Sequence, residues 1–453
     1  MKKFLALLLS LTLVFSLAAC GGDDPDDTGD DGFDLPGDID EGNTVFIGTT
    51  EFSGEFIFWG GSSSYDVQIR ESINGAGLVA TDEGGQFMIN ENVLTDSGAT
   101  YLQDTVLPAQ FDPEEDYSDS DIFDAEGNKT YTFEIRDDMQ FSDGEPITAH
   151  DYAFSIKMGS AYTSAKANHT APNAGDSLVG YDDWRQGCYG EWVETQEDGE
   201  TVEVWECDDP DSTEVDFDGV EVVDDQTLKL TVQADELPYF YELAMVAFGP
   251  QPEHIYTNDG EYEFLTRSEF EDLGNDETHM GEYIYSMLNE PPVSTGPYVL
   301  DHYEQDQFVR LVRNDNYVGD FRGDVPSIDN VIVRVVPMAT DIEHLLNEEI
   351  DILTGVVEGN KIDRALEADH IYETTYLRNG FGALFFQVDI AASQDYRVRQ
   401  AIAHMINRDE FVSAFLEGYG SVINAPYGLG QWMVSESDIV PSDALTNYQY
   451  DLA

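Results

Sequence analysis

Thr132-Phe133-Glu134-Ile135-Arg136-Asp137-Asp138-Met139-Gln140-Phe141-Ser142-Asp143-Gly144-Glu145-Pro146-Ile147-Thr148-Ala149-His150-Asp151 holds three kinds of local instruction in twenty residues. With Tyr131 it opens on alternating apolar and polar side chains, the period of a half-buried strand. Ser142-Asp143-Gly144 then supplies turn chemistry. Thr148-Ala149-His150-Asp151 is a capping box, which starts a helix whose first turns run from Tyr152 to Lys157. Strand, turn and capped helix follow one another with almost no linker.

The same reading extends outward. Thr44-Val45-Phe46-Ile47-Gly48 reads as a strand, followed by the small-residue loop Gly60-Gly61-Ser62-Ser63-Ser64. Val220 to Val223, Thr227 to Val232, Tyr298 to Val312 and Val331 to Val336 are further strand-like runs. Near the end, Val398, Ile402 and Met405 repeat at helical spacing and predict one buried face. Asn407-Arg408-Asp409-Glu410 forms a second capping box, Phe411, Val412, Phe415 and Leu416 the next apolar face, and Gly418 a C-cap. Strands and helices mixed in this way give an α/β or α+β chain. No internal repeat is visible.

Lys plus Arg number 20 and Asp plus Glu 92, a formal charge of −72 spread along 453 residues. Such a surface repels phosphate backbones and anionic headgroups, which excludes nucleic-acid binding as the main task. It suits hydration in salty surroundings, where screening weakens self-repulsion. Hydrophobic residues still make up 41% and aromatics 12%, enough for packed cores and against global disorder. The length points to two or three domains.

Lys2 and Lys3 precede an apolar stretch from Phe4 to Leu17 that ends in Leu17-Ala18-Ala19-Cys20. The stretch is too short to span a membrane and reads as an export signal, residues 1–20. Its ending is similar to a bacterial lipobox, which makes Cys20 the lipidation site and membrane anchor. Residues 21–44 carry ten acidic and no basic side chains, so they read as an acidic, disordered tether. The spacing of an EF-hand calcium loop is absent there.

Cys188 and Cys207 remain, an even number in an exported chain. Between them, Asp198-Gly199 separates two alternating segments and predicts a hairpin in which Trp192 faces Trp205. That register brings the cysteines within two positions of each other and predicts a disulfide. A thiolate metal site lacks the C-x-x-C spacing or a nearby His.

No motif for catalysis appears. The eight histidines show no H-E-x-x-H or i, i+4 pair, and there is no nucleophile elbow or phosphate-binding loop. Asp143 is the tempting acid, but an aspartate before glycine is the ordinary choice for a turn. His404 lies between helix faces and reads as a satisfied structural residue. No catalytic residue, metal or cofactor is assigned.

Several segments together resemble family 5 of the extracellular solute-binding proteins, the peptide- and nickel-type receptors of ABC importers. Thr132 to Asp151 is similar to the family's signature strand, turn and helix. Ser294-Thr295-Gly296-Pro297-Tyr298-Val299-Leu300 with Arg313-Asn314-Asp315-Asn316-Tyr317 resembles the second landmark. Ile328-Asp329-Asn330 to Pro337 with Glu349-Ile350-Asp351-Ile352 resembles the third, and Asp395-Tyr396-Arg397-Val398-Arg399-Gln400-Ala401-Ile402 the fourth. They come in the family's order from about residue 45 onward.

The resemblance implies a two-lobed, periplasmic-binding-protein-like (type II) α/β fold that closes on its ligand about a hinge. Carried over, domain I holds residues 45–66 and 218–335, domain II 67–217, and a partial second lobe (domain III) 336–453. The family's far lobe runs on, so the second lobe is expected to be incomplete here, with the faces around Val398, Ile402, Phe411 and Phe415 uncovered. Asp143, Gly144, Gly296, Arg397 and Arg399 are expected to be architectural. Ligand contacts are expected from Gly61, Ser62 and Ser63 after the first strand and from Phe386 and Gln387 on the opposite lobe. Plain loop or core packing is the competing explanation for each.

The function implied is a non-enzymatic, monomeric receptor at the cell surface or in the periplasm. It hands oligopeptides or a similar small solute to the permease subunits of an ABC transporter. The alternatives are a secreted cell-surface hydrolase and a lipoprotein sensor or adhesin on the same fold. Sequence does not choose among peptide, nickel chelate, haem or sugar as ligand.

Overall fold

The computed structural model describes residues 43–61, 63–82, 85–100, 122–161, 174–197, 200–209, 215–237, 241–265, 279–375, 380–416, 419–424, 427–435 and 448–451. The signal segment, Cys20, most of the tether, Ser62, the turn pair Asp198-Gly199 and Gly418 lie outside them. The strands are β1 (Thr44–Thr49), β2 (Val79–Thr81), β3 (Phe87–Ile89), β4 (Leu94–Thr100), β5 (Lys129–Ile135), β6 (Gly190–Glu197), β7 (Glu200–Cys207), β8 (Val220–Asp224), β9 (Thr227–Val232), β10 (Tyr298–Glu304), β11 (Phe308–Arg313), β12 (Asn330–Val335) and β13 (Ile352–Leu353). The helices are α1 (Ser64–Ile73), α2 (Ala149–Ser160), α3 (Tyr181–Gln186), α4 (Glu253–Tyr256), α5 (Met280–Tyr285), α6 (Asp341–Leu346), α7 (Gly359–Ala365), α8 (Tyr396–Met405), α9 (Arg408–Phe415) and α10 (Trp432–Ser435).

Two larger sheets organise most of the described chain before Pro337. One has the order β10-β11-β12-β1-β13, with β1 parallel to both β12 and β13 and the remaining pairs antiparallel. The other has the order β4-β5-β9-β8 and is antiparallel throughout. On β5, Tyr131, Phe133 and Ile135 are buried, as the alternation requires, and pack with Leu228, Leu230 and Val232 of β9. Helix α2 is buried nearly all round because it lies between two cores. Its Tyr152 and Ile156 face this sheet, while Phe154 and Met158 join Ile57, Tyr256, Met280 and Ile284.

Three boundaries expected from the resemblance fall inside these units. The division at 66/67 cuts α1, whose Ile69 and Ile73 pack with Leu300, Val309 and Leu311 of the first sheet. The division at 217/218 separates β8 and β9 from β5, to which β9 is hydrogen-bonded from Lys129 to Glu134. The division at 335/336 leaves Ile352 and Leu353 in the far lobe, yet they pair with Ile47 and Gly48 of β1. Strand pairing across long sequence intervals is invisible to a linear division of the chain.

The landmarks interlock. Gly144 has φ +95°, and the Gly144 N–H donates to the Phe141 carbonyl at 3.0 Å. Ser142 N–H donates to the Ser294 carbonyl, and Ser294 N–H returns a bond to Ser142 Oγ, each at 3.0 Å. Asn316 Nδ2 donates to the Phe141 carbonyl and Asn314 Nδ2 to the Gly296 carbonyl, both at 2.9 Å. A Cβ on Gly296 would stand 2.6 Å from the Ile73 carbonyl carbon, so only glycine allows that approach. Asp151 closes the capping box by accepting from the Thr148 N–H at 2.8 Å. Arg399 Nη1 donates to the Ser393 carbonyl at 2.6 Å and orients α8.

Strands β6 and β7 form the expected ribbon, with Trp192 opposite Trp205 and their rings edge to face at 5.4 Å. Cys188 and Cys207 are joined by a disulfide, with Cα atoms 5.7 Å apart. Helix α9 starts where predicted, with the Asn407 side chain accepting from the Glu410 N–H at 3.1 Å; α8 starts at a cap that sequence reading did not assign, the Asp395 side chain accepting from the Arg397 N–H at 2.9 Å. Their apolar faces, which periodicity predicts buried and the resemblance leaves uncovered, are not buried. Met405 and Phe411 are each 61% exposed, and Val398, Ile402, Val412 and Leu416 are only half-buried. Periodicity makes a face, but only an opposing surface covers it.

Candidate functional site

The described part of the loop before α1, residues 50–61 and Ser63, is shaped by that helix. Asp66, fully buried, accepts from the N–H groups of Ser53 and Glu55, each at 3.0 Å. One turn later, Arg70 donates to the carbonyls of Glu55 and Gly61, each at 2.6 Å. Burial lowers the Arg70 pKa, opposed by Asp66, Glu55 and Glu71, while the guanidinium stays charged. Two side chains at i and i+4 therefore hold donors and acceptors of one loop. The Phe56 N–H donates to the Leu288 carbonyl at 2.8 Å, fixing the middle of the loop. A Cβ on Gly60 would lie 2.6 Å from the Glu55 carbonyl oxygen, so the turn there needs glycine.

Gly61 is half-buried and its carbonyl is committed to Arg70. Ser63 precedes α1 and its carbonyl accepts from the Val67 N–H at 3.0 Å, while its hydroxyl makes no capping bond. Trp59 packs its ring 5.5 Å from Tyr256 and 6.2 Å from Phe154, and its Nε1 is enclosed without a hydrogen-bond partner. Asp66, Arg70 and Trp59 were missed by sequence reading. The Asp and Arg four apart on a helix after a Gly/Ser loop were the available signal.

On the other side, Phe386 is half-buried, Gln387 is exposed with its amide on Asp389, and the neighbouring Phe385 is 84% exposed. Among the described residues no hydrogen bond, ion pair or ring contact joins this segment to the loop before α1. Asp143 is used structurally: its Oδ1 accepts from the Glu145 N–H at 3.1 Å and its Oδ2 lies 2.9 Å from His254 Nε2. His404 Nδ1 lies 2.6 Å from the Gln449 carbonyl oxygen, in agreement with a structural role. A second fully buried charged group is Lys129, paired with Glu242, which also accepts from the Tyr131 hydroxyl. Burial lowers the Lys129 pKa, opposed by the hydrogen bond and charge of Glu242. Among the described residues no group of three His, Cys, Asp or Glu side chains could hold a metal ion, and no helix is long and apolar enough to cross a membrane.

Residues 115–453 match the family model described as bacterial extracellular solute-binding proteins, family 5, middle region. The chain belongs to this family. Among relatives of the solute-binding protein, a putative ABC transporter peptide-binding protein of Brucella ovis is 28% identical over 169 residues, covering 35% of this chain and 28% of that protein. The dipeptide-binding protein of Escherichia coli is 23% identical over 243 residues, covering 51% of this chain and 38% of its own length. The match thus spans well under half of each relative. The oligopeptide-binding protein AppA of Bacillus subtilis, solved with a nonapeptide, superposes with a TM-score of 0.54 at 17% identity, covering 90% of this chain and 61% of AppA. The fold is the mixed α/β, two-lobed type II architecture of this family.

Proposed function

We propose that this solute-binding protein captures an oligopeptide, or a solute of similar size, between its lobes and delivers it to the permease of an ABC importer. Family membership over residues 115–453 carries the reading, and the relatives named for peptide and dipeptide binding favour peptide as the ligand. The lipobox-like Leu17-Ala18-Ala19-Cys20 supports export and a lipid anchor on Cys20, which holds a monomeric, non-enzymatic receptor at the outer face of the membrane. Within the site, Gly61, Ser62 and Ser63 are proposed to meet the ligand from the first lobe and Phe386 and Gln387 from the second. Extended peptides are bound largely through backbone hydrogen bonds and roomy pockets, which leave little motif. Mass spectrometry of what copurifies, with calorimetry against a peptide library, tests the proposal. Intact peptides released on unfolding are expected; peptides cleaved in the presence of the protein would establish a hydrolase instead.

A further inference from the structure

Strands β6 and β7 pair with each other over eight successive positions and, among the described residues, with no other strand. The period of a strand places Trp192, Glu194, Glu203 and Trp205 on one face, with Trp192 opposite Trp205 and Glu194 opposite Glu203. Opposed side chains in such a ribbon start about 5 Å apart and next-but-one neighbours about 7 Å, so two carboxylates adjoin two rings. Trp192 is held in place, its Nε1 donating to Asp182 Oδ2 at 2.9 Å and its ring edge to face with Trp205, yet it remains 48% exposed. The Cys188–Cys207 bridge closes the base of this ribbon.

The ribbon also opposes like charges. Glu191 faces Glu206, Glu194 faces Glu203 and Glu197 faces Glu200. At 92 acidic residues in 453, three such pairs in eight positions exceed chance several-fold. Each directly opposed pair destabilises the ribbon that carries it. Nothing nearby in the chain offsets this: no Lys or Arg lies between Cys188 and Asp208, and Arg185 of α3 is committed to the Ser160 and Ala161 carbonyls at 3.3 and 3.1 Å. Among the described residues the exposed carboxylates of Glu191, Glu194, Glu203 and Glu206 enter no ion pair.

A cation seated between opposed carboxylates removes their repulsion, and an open aromatic face beside them attracts a planar cation. Arginine meets both demands, because its guanidinium is flat, weakly hydrated and forks toward carboxylate oxygens. A metal ion would use the carboxylates and leave the anchored Trp192 ring without a role. We propose that this face of the β6–β7 ribbon docks an arginine-bearing segment of a partner protein, with the guanidinium on Trp192 and paired with Glu194 and Glu203. The surface is independent of the solute held between the lobes.

The test titrates the 453-residue chain into a labelled peptide of alternating arginine and glycine, and into its lysine counterpart, by fluorescence anisotropy in about 0.15 M salt. Glu194→Gln/Glu203→Gln is compared with Glu367→Gln/Asp369→Asn, which removes two exposed charges elsewhere. The ribbon variant is expected to weaken arginine-peptide binding about tenfold and the other by less than about twofold. Trp192→Leu should weaken it about threefold, and the arginine peptide should bind more tightly than the lysine peptide. Peptide that also enters the solute site contributes equally to every variant and cancels from the comparison. The ribbon variant should in addition slow proteolysis between Cys188 and Cys207, since its like charges are gone; a purely structural role for the carboxylates would speed it. No binding by the parent, equal losses in the two charge variants, no loss in Trp192→Leu, or equal affinity for the two peptides would leave only diffuse attraction to an acidic surface and overturn the proposal.

Discussion

Helix α2 and helix α8 both begin with a side-chain cap, and they end in opposite environments. Ten of the twelve residues of α2 are buried, because the β4-β5-β9-β8 sheet covers one side and α4 and α5 the other. None of α8 is buried, although its apolar spacing is as regular. The contrast extends to the regions around them. Among the described residues, the cores are built from side chains before Pro337. Among the described apolar side chains only Ile342, Ile350 and Ala365 are buried beyond it, whereas most of the exposed large ones follow it. A cap sets where a helix starts, but tertiary burial supplies most of its stability.

The largest test of that contrast compares two phenylalanines. Phe133→Ala should cost about 3–5 kcal/mol in denaturant unfolding, because it empties a closed core. Phe411→Ala should stay within about 0.5 kcal/mol of the parent. A large loss for Phe411→Ala would mean that its face is covered in solution.

Lys129→Met should cost about 3–5 kcal/mol by leaving the Glu242 carboxylate buried without its cation. Adding Glu242→Leu should recover most of that loss, measured by the same unfolding curves. If the double variant is no better than the single, the sheet depends on the charge pair itself.

Opening the Cys188–Cys207 bridge, whose cysteines are 19 positions apart, should remove about 3 kcal/mol of local constraint in the loop-entropy model. The expected readout is faster proteolysis within the β6–β7 ribbon and two new thiols, with the circular dichroism of the remainder unchanged. An unaltered thiol count would reject the bridge.

The smallest effects concern the caps. Thr148→Ala and Asn407→Ala should each cost about 1 kcal/mol locally. Only the first should move the main melting transition, since α2 belongs to a core and α9 does not. Equal shifts would show that both helices unfold as one unit.

Much of the architecture was legible. The strand, turn and helix from Tyr131 to Lys157, the hairpin register at Trp192 and Trp205, the disulfide and the start of α9 are local, and neighbouring residues suffice to specify them. The site was far less legible. Gly61 and Ser63 were recognisable as loop residues, but the Asp66 and Arg70 bonds that shape the loop appear only once α1 folds back on it.

The sequence by itself determined what depends on short range: alternation, turn residues, caps and the family order of the landmarks. The tertiary structure alone decided which strands share a sheet, so β8 and β9 joined β5 and β13 joined β1, against the expected boundaries. It also decided which regular faces were buried, leaving Met405 and Phe411 in solvent while Phe154 was enclosed. The reason is the same in both cases. A residue's own pattern fixes which surface it offers, and burial is a property of two surfaces that meet.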